Sequence, residues 1–346
     1  MMAVEGGKLR LLSLDGGGIR GLSTLIILQR IMFALDTKVD QAIERPLRPC
    51  QFFDLMAGTS TGGLIAIMLG TMRMTIDECL AAYLDLAPKI FPEEGFLSGS
   101  KAGRLFKSAR GTARFDAAAL EREVKRMVVE QLKKEEGVKF DEAAPLTEGC
   151  RVVVCATNKD VNKAVRLRSY RSSWEPSTKC TIWQAARATS AAPLYFDSIA
   201  FGMPPMSYVD GGLHYNNPVR VLVDEAKSIW KGTLARSVGC IISIGTGAPP
   251  LSAVGDRGLE ILESVKATVT DTEDTAQEFE NELEHMDAAE RPAYFRFNVH
   301  NMQKIGLEEW KEFQTLTGAT NDYLSTQRRE IGNCVDSLLR LAGMSS

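Results

Sequence analysis

The clearest signal along this chain is a repeated change of hydrophobic period. Residues 9–14, LRLLSL, are an apolar run of the length of a buried strand, and the run stops at Asp15. After GGGIRG, apolar positions from Leu22 to about Leu35 recur at helical spacing. The change recurs at residues 54–69, DLMAGTSTGGLIAIML, where an apolar approach meets a glycine turn and leaves it as a helix. MTIDECLAAYLDLAPKIF predicts an amphipathic helix with Thr75 as its N-cap and Asp77 and Glu78 in its first turn. FDAAALEREVKRMVVEQLKK predicts another, and TIWQAARATSAAPLYF a third that runs to Pro193. RVVVCATN (151–158), VRLRSY (165–170), MSYVDGG and VGCIISIGTG (238–247) read as strands, and the remainder reads as mostly helical. Strands alternating with helices predict an α/β fold around a largely parallel sheet.

Composition narrows the picture. With 346 residues, 45% of them hydrophobic, the chain can bury a sizeable core, and a net charge of −3 gives no footprint for nucleic acid. Seven dispersed cysteines without a CxxC pair, and only three histidines, argue against a disulfide framework and a zinc cage; no metal or cofactor is expected. MMAVEGGK passes into the first strand without a signal-peptide core, and the apolar run at 64–69 is too short to span a bilayer. The expectation is a soluble, cytoplasmic protein.

Three short motifs carry candidate chemistry. GTSTGG fits G-x-S-x-G, in which Ser60 sits on a sharp strand-to-helix turn and exposes its hydroxyl. The amides at the start of the following helix, around Thr61 and Gly62, favour a developing alkoxide. DGGGIRG (15–21) supplies successive glycine N–H groups after a strand, as an oxyanion hole requires. The same glycines fit a dinucleotide fingerprint, with Asp36 as its acid, but Asp15 would sit beside the pyrophosphate and Asp36 ends a helix instead of a strand. VDGG (209–212) offers Asp210 at a strand end, a credible base for Ser60 if it is held in a partly dry pocket. His300 would be the third member of a Ser-Asp-His triad; His214 reads as structural. Arg20 could contact a lipid phosphate or bond the carbonyls of its own loop.

DGGGIRG, GTSTGG and DGG in this order and spacing, with ARATSAAP (186–193) and SIGTG (243–247), resemble the patatin-like phospholipases, a family that includes calcium-independent phospholipase A2-like acyl hydrolases. The resemblance implies a three-layer α/β/α patatin-like fold with a central, largely parallel sheet, related to α/β-hydrolases. It implies a Ser60–Asp210 dyad, an oxyanion hole from the amides of Gly16, Gly17 and Gly18, and calcium-independent hydrolysis of the acyl esters of phospholipids or related lipids. A catalytic domain over 9–223 is expected. Residues 224–346 would complete the sheet with the strand at 238–246 and add a mainly helical extension. Relatives also occur as the lipase part of larger signalling proteins, so a regulatory partner or oligomer is an open expectation. A catalytically idle lipid- or nucleotide-binding module is the rival class.

Two charged stretches bear on lipid contact. SKAGRLFKSARGTAR (100–114) holds Lys101, Arg104, Lys107, Arg110 and Arg114 without an acid, and reads either as a peripheral membrane contact or as a solvated face. Residues 271–290 carry nine acidic side chains and no Lys or Arg, which predicts a solvated helix turned away from anionic lipid.

Overall fold

A computed structural model describes residues 7–40, 42–91, 115–143, 149–175, 178–193, 195–247, 259–300, 302 and 305–344, apart from the side chains of 259–271. The basic residues Lys101, Arg104, Lys107, Arg110 and Arg114 lie outside the described residues.

The chain runs β1 (Leu9–Leu14), α1 (Gly21–Asp36), β2 (Leu55–Thr59), α2 (Thr61–Ala66), α3 (Ile76–Ile90), α4 (Ala117–Leu132), β3 (Arg151–Asn158), β4 (Lys163–Arg168), α5 (Ile182–Thr189) and β5 (Ile199–Phe201). It continues through β6 (Met206–Asp210), α6 (Gly212–Tyr215), α7 (Val219–Trp230), α8 (Leu234–Ser237), β7 (Val238–Ile244), α9 (Leu259–Glu284), β8 (Ala293–Phe297), α10 (Phe313–Thr326) and α11 (Arg328–Leu341). The described strands form one sheet in the order β5-β6-β3-β2-β1-β7-β8, with β4 also on β3. The strands from β3 through β8 along this order are parallel, whereas β4 and β6 run antiparallel to β3.

The central strands are buried on both faces, which is why β1 shows no alternation in the sequence. Leu12, Leu14, Met56 and Ile242 join α1, α3, α5 and α11 in the larger core. Leu11, Leu55, Ala57 and Ile241 face α7 and the Phe279 and Leu283 face of α9. These two apolar clusters on opposite sheet faces make the three layers. Gly18–Asp36 is long and apolar enough to cross a membrane by length and composition, but its residues pack in the larger core beside α3, α10 and α11. All seven cysteines are buried free thiols.

Local rules account for the helix starts. Thr75 and Glu78 cap α3 reciprocally, and Thr181 and Gln184 do the same for α5. Two strands depart from the sequence reading. β5 is only three residues long, and β8 lies in the stretch expected to be mostly helical. α5 ends at Thr189, short of Pro193.

A buried ion cluster pins α7 to β4. Glu225, with no side-chain exposure, accepts from Arg168 at 2.7 Å through both oxygens, from Arg166 at 3.0 Å and from Tyr170. Burial alone would raise its carboxyl; the bonds from Arg168 and Tyr170 hold it below the usual range. Glu225→Ala leaves guanidinium charge buried beside a void, and its cost should be about 3–5 kcal/mol. Arg220→Ala breaks only exposed pairs with Glu278 and Glu282 and should cost under about 1 kcal/mol. Urea unfolding of both variants measures the contrast; equal losses would refute the special weight given to Glu225.

Candidate active site

Ser60 follows β2 directly and caps α2, with φ 53° and ψ −126°. A non-glycine residue in such a region costs about 1–3 kcal/mol and persists only where its surroundings force it. Here they do. A Cβ on Gly58 would lie 2.2 Å from the Gly62 carbonyl, and one on Gly62 would lie 2.2 Å from the Leu14 carbonyl. Glycine on either side therefore lets three backbones meet at the turn. The Ser60 N–H donates to Thr189 Oγ1 at 2.9 Å, and that hydroxyl donates to the Cys155 carbonyl at 2.7 Å, tying the turn to β3.

Strand register delivers Asp210. Thr59 pairs with Cys155, and the next residue of β3, Ala156, pairs with Asp210 on the same edge, because β4 occupies the other edge of β3. Ser60 and Asp210 thus meet at one level of the sheet, where β6 takes over from β2 along one edge of β3. The Asp210 N–H donates to the Ala191 carbonyl at 3.0 Å, and Oδ1 accepts from the Gly212 N–H at 2.7 Å. Oδ2 is buried with no hydrogen bond of ordinary geometry. Burial pushes the carboxyl up to about 6; the nearby Ser60 hydroxyl and the Gly212 N–H oppose the rise.

The glycine loop lies on the other side, after β1. The Gly16 N–H is committed to the Asn216 carbonyl at 3.1 Å, so it is not available to a ligand, contrary to the expectation that all three glycine amides are. Among the described residues, the N–H groups of Gly17 and Gly18 donate to no protein acceptor. Positive φ occurs at Gly18 (56°), whereas Gly17 is extended at φ 173°. What keeps Gly17 bare is space: a Cβ there would sit 2.0 Å from Thr246 Oγ1, which holds the Gly16 carbonyl at 2.7 Å. The Gly18 carbonyl accepts from Tyr83 Oη at 2.6 Å and Thr61 Oγ1 at 3.0 Å, and the Ile19 N–H of the same peptide donates to the Leu307 carbonyl at 2.9 Å, which fixes that peptide of the loop. Arg20 is buried, reaching only the carbonyls of Gly17 and Gly247 at 3.5 Å; burial lowers its guanidinium to about 10, still protonated at neutral pH.

The sequence reading missed the support of this loop. Asp15 Oδ2 accepts from Arg296 Nη2 at 2.7 Å, and the same nitrogen reaches Glu273 Oε1 at 2.6 Å. Burial raises Asp15 against the opposing charge of Arg296, while Asp15 and Glu273 hold Arg296 charged. Asn298 accepts from the Gly247 N–H at 2.7 Å and donates to Glu273 at 2.7 Å. The acidic stretch is therefore not only a solvated face. Its Glu273 serves the loop, and Thr272 accepts from Asn216 Nδ2 at 2.8 Å. The one available signal was an arginine amid the apolar residues of AYFRF.

Beside Ser60 opens an apolar channel of about 610 Å³, its mouth included. Leu64, Leu86, Ile90, Phe91, Leu120 and Phe196 line it together with Gly18 and Ser60. No histidine lines it. His214 is exposed and within 3.3 Å of Asn162, and His300 is exposed with its ring edge-on to Tyr323. Asp36 pairs on the surface with Arg45 at 2.9 Å, which removes the acid that the dinucleotide reading needs. Among the described residues, no group of three or more His, Cys, Asp or Glu could hold a metal ion. The arrangement offers a hydroxyl, a carboxyl of raised proton affinity, two free amide donors and an apolar slot. That set suits acyl transfer.

Residues 12–223 match the sequence profile described as patatin-like phospholipase. Similar proteins include rat (Rattus norvegicus) calcium-independent phospholipase A2-gamma, 29% identical over 313 residues covering 88% of this chain and 37% of that protein. Another is phospholipase A I of Arabidopsis thaliana, 29% identical over 288 residues, 70% of this chain and 21% of that protein. The chain thus spans little more than a third of the first relative and less of the second. Among solved structures, VipD from Legionella pneumophila aligns with 92% of this chain and 67% of its own at a TM-score of 0.39 and 12% identity.

Fluorophosphonates label a serine through a five-coordinate transition state in which charge builds on the phosphoryl oxygen as fluoride leaves, so Gly17→Val should slow labelling of Ser60 about 100- to 1000-fold. Displacing Thr246 should cost about 1–3 kcal/mol of stability, too little to explain that loss. Labelling rates and thermal unfolding of the same preparation separate the two effects. Unchanged labelling, or tight NAD or FAD binding by the wild type, would show that the loop serves other chemistry.

Proposed function

The chain belongs to the patatin-like phospholipase family, and from that premise we propose that it is a calcium-independent lipid acyl hydrolase working through a Ser60–Asp210 dyad. One observation carries the reading: a buried carboxyl of raised proton affinity stands level with a strained serine in the wall of an apolar channel. The Ser60 hydroxyl adds to the acyl carbonyl while its proton passes to Asp210. The N–H groups of Gly17 and Gly18 hold the oxyanion, and the first turn of α2 adds its dipole. Collapse expels the lyso-lipid oxygen, which takes the proton from Asp210, and leaves an acyl-Ser60 ester. Water then repeats the sequence, releasing fatty acid. The channel receives the acyl chain, since Leu86, Ile90, Leu120 and Phe196 offer nothing to a polar head group. Arg20 lends positive potential to the loop; buried against the carbonyls of Gly17 and Gly247, it acts through the loop and not by contact with a lipid phosphate.

The catalytic unit on this reading is residues 9–223, completed by β7 and β8 of the C-terminal part. The site of action is the cytoplasmic face of a membrane, reached peripherally, and the substrate is a phospholipid. A regulatory partner fits the relatives' greater length.

Ser60→Ala and Asp210→Ala should each abolish phospholipid hydrolysis, and the double variant should be little worse, because the two act as one unit. His300→Ala should be nearly silent, and excess EGTA without effect. Normal turnover in Asp210→Ala sinks the dyad, a severe loss in His300→Ala revives a triad, and a calcium requirement refutes the backbone oxyanion hole.

The raised carboxyl fixes two pH dependences. As a base, Asp210 must be ionised, so kcat/KM should climb with pH and level off above about 6. For stability the sign is opposite: a folded-state value raised from 3.8 to about 6 means that ionisation weakens the fold as pH rises through that window. Asp210→Asn should therefore be more stable than wild type at pH 8 by up to about 3 kcal/mol, and the gap should shrink toward pH 4. Urea titrations at both pH values check this; a variant less stable at pH 8 contradicts it.

A further inference from the structure

The sheet carries an exposed apolar corner on the same edge as Ser60. β3 runs parallel to β1 and β2, so its carboxyl end leaves the sheet on the side where the glycine loop and the serine turn lie. β6 runs against β3 and β5 against β6, so the turn 202–205 emerges on that side too. The β3–β4 turn is bonded to both neighbours: Lys159 N–H to the Ser207 carbonyl at 2.8 Å, Ser207 N–H to Asp160 at 2.9 Å, and Asn162 to His214 at 3.3 Å. Turns from β3–β4 and β5–β6 and the short helix after Asp210 thus form one continuous rim.

That rim concentrates exposed hydrophobic side chains. Of eight large exposed ones among the described residues, Val161, Met203, Met206 and Leu213 belong to it, and Trp174 shares a cleft with Asn162, Lys163 and His214. Met203 is fully exposed, and the segment GMPPM (202–206) holds no charge. A soluble protein seldom gathers its exposed apolar side chains at one corner without a partner surface. Charge names the partner. Lys159 and Lys163 are exposed and make no ion pair among the described residues; Glu175 is neutralised by Arg168, and Asp160, which accepts the Ser207 N–H, leaves the two lysines with a net positive charge. Apolar tips, an indole and unpaired lysines on one rim match a lipid–water interface, with acyl chains below and phosphates above.

We propose that this rim docks the protein on an anionic lipid surface, with Val161 and Met203 entering the acyl region and Lys159 and Lys163 meeting phosphates. The proposal rests on the lipid-hydrolase reading for its purpose, but not for its test. Docking there would turn the edge bearing Ser60 toward the membrane, so that an acyl chain need not cross water.

The test uses the Ser60→Ala chain, which keeps the lipid intact, in flotation with phosphatidylcholine vesicles with and without phosphatidylserine. Val161→Glu with Met203→Glu should lower partition on both vesicles about tenfold or more, because charge is expelled from the interface. Lys159→Gln with Lys163→Gln should lower it only with phosphatidylserine, about fivefold per lysine, an effect that salt erases. Thermal unfolding confirms that the variants are folded. In the Ser60-intact chain, Val161→Glu with Met203→Glu should leave hydrolysis of a water-soluble butyrate ester unchanged. Parent chain that fails to float with either vesicle, or carboxylate variants that float like their parent, overturns the proposal; the former would point to a protein partner for the rim. Failure of the hydrolase reading appears separately, as absent turnover of both esters.

Discussion

A serine forced to φ 53° at the end of a parallel strand is the constraint on which the rest of this structure depends. Such a backbone relaxes unless it is held, and three segments hold it. Gly58 and Gly62 let the turn close against β1, Thr189 anchors its N–H to β3, and the Thr59 hydroxyl reaches the Tyr215 carbonyl. The same segments fix what surrounds the serine. Two residues beyond Thr189, the Ala191 carbonyl takes the Asp210 N–H. One stretch, TSA, therefore sets the nucleophile turn and the carboxylate strand relative to each other, which a proton transfer over hydrogen-bond distance demands.

The sheet order explains the third component. β1 lies between β2 and β7, so the loop leaving β1 has the serine turn on one side and the GTG turn after β7 on the other. Thr246 holds the Gly16 carbonyl, and Asn298 and Arg296 reach in from β8 and its end. Each link uses a buried polar group whose loss would leave another unpaired, so the loop keeps one shape without a ligand. Two N–H groups are left over, and they are the ones with no protein acceptor.

Much of this was legible in the sequence because the chemistry is local. LRLLSL and RVVVCATN gave the bounds of β1 and β3, and the three glycine motifs pointed to the loops that meet at the site. What escaped has a physical reason in each case. β5 is too short to show a period. β8 was hidden because Arg296, half-buried within it, is stabilised by Asp15, 281 residues away, and by Glu273. Whether a glycine amide is free is a tertiary fact, so Gly16 could not be told from Gly17 and Gly18 until Asn216 was placed. Nor could periodicity say that Gly17 is required for the space that Thr246 occupies, whereas Gly18 is required both for its φ and for its approach to the Leu307 carbonyl.

The electrostatic layout shows why a carboxylate suffices where many serine hydrolases use an imidazole. An exposed aspartate holds a proton too weakly to draw one from a hydroxyl. Burial lifts Asp210 to about 6, close to an ordinary histidine, and the unpartnered Oδ2 leaves a lone pair for the proton. The gain has a cost in fold stability, since an ionised carboxylate sits where it is poorly solvated. Arg20 is a second buried charge of the site, a cation that among the described residues has only distant carbonyl partners and is also held at a cost. A carboxylate beside the hydroxyl and a guanidinium bonded to the carbonyl of the oxyanion loop bring opposite charges to the two places where the reaction moves charge. Neutralising either group by a direct ion pair would stabilise the protein and remove that charge from the site. Their lack of close counter-ions is therefore the part of the structure that favours the reaction over the fold.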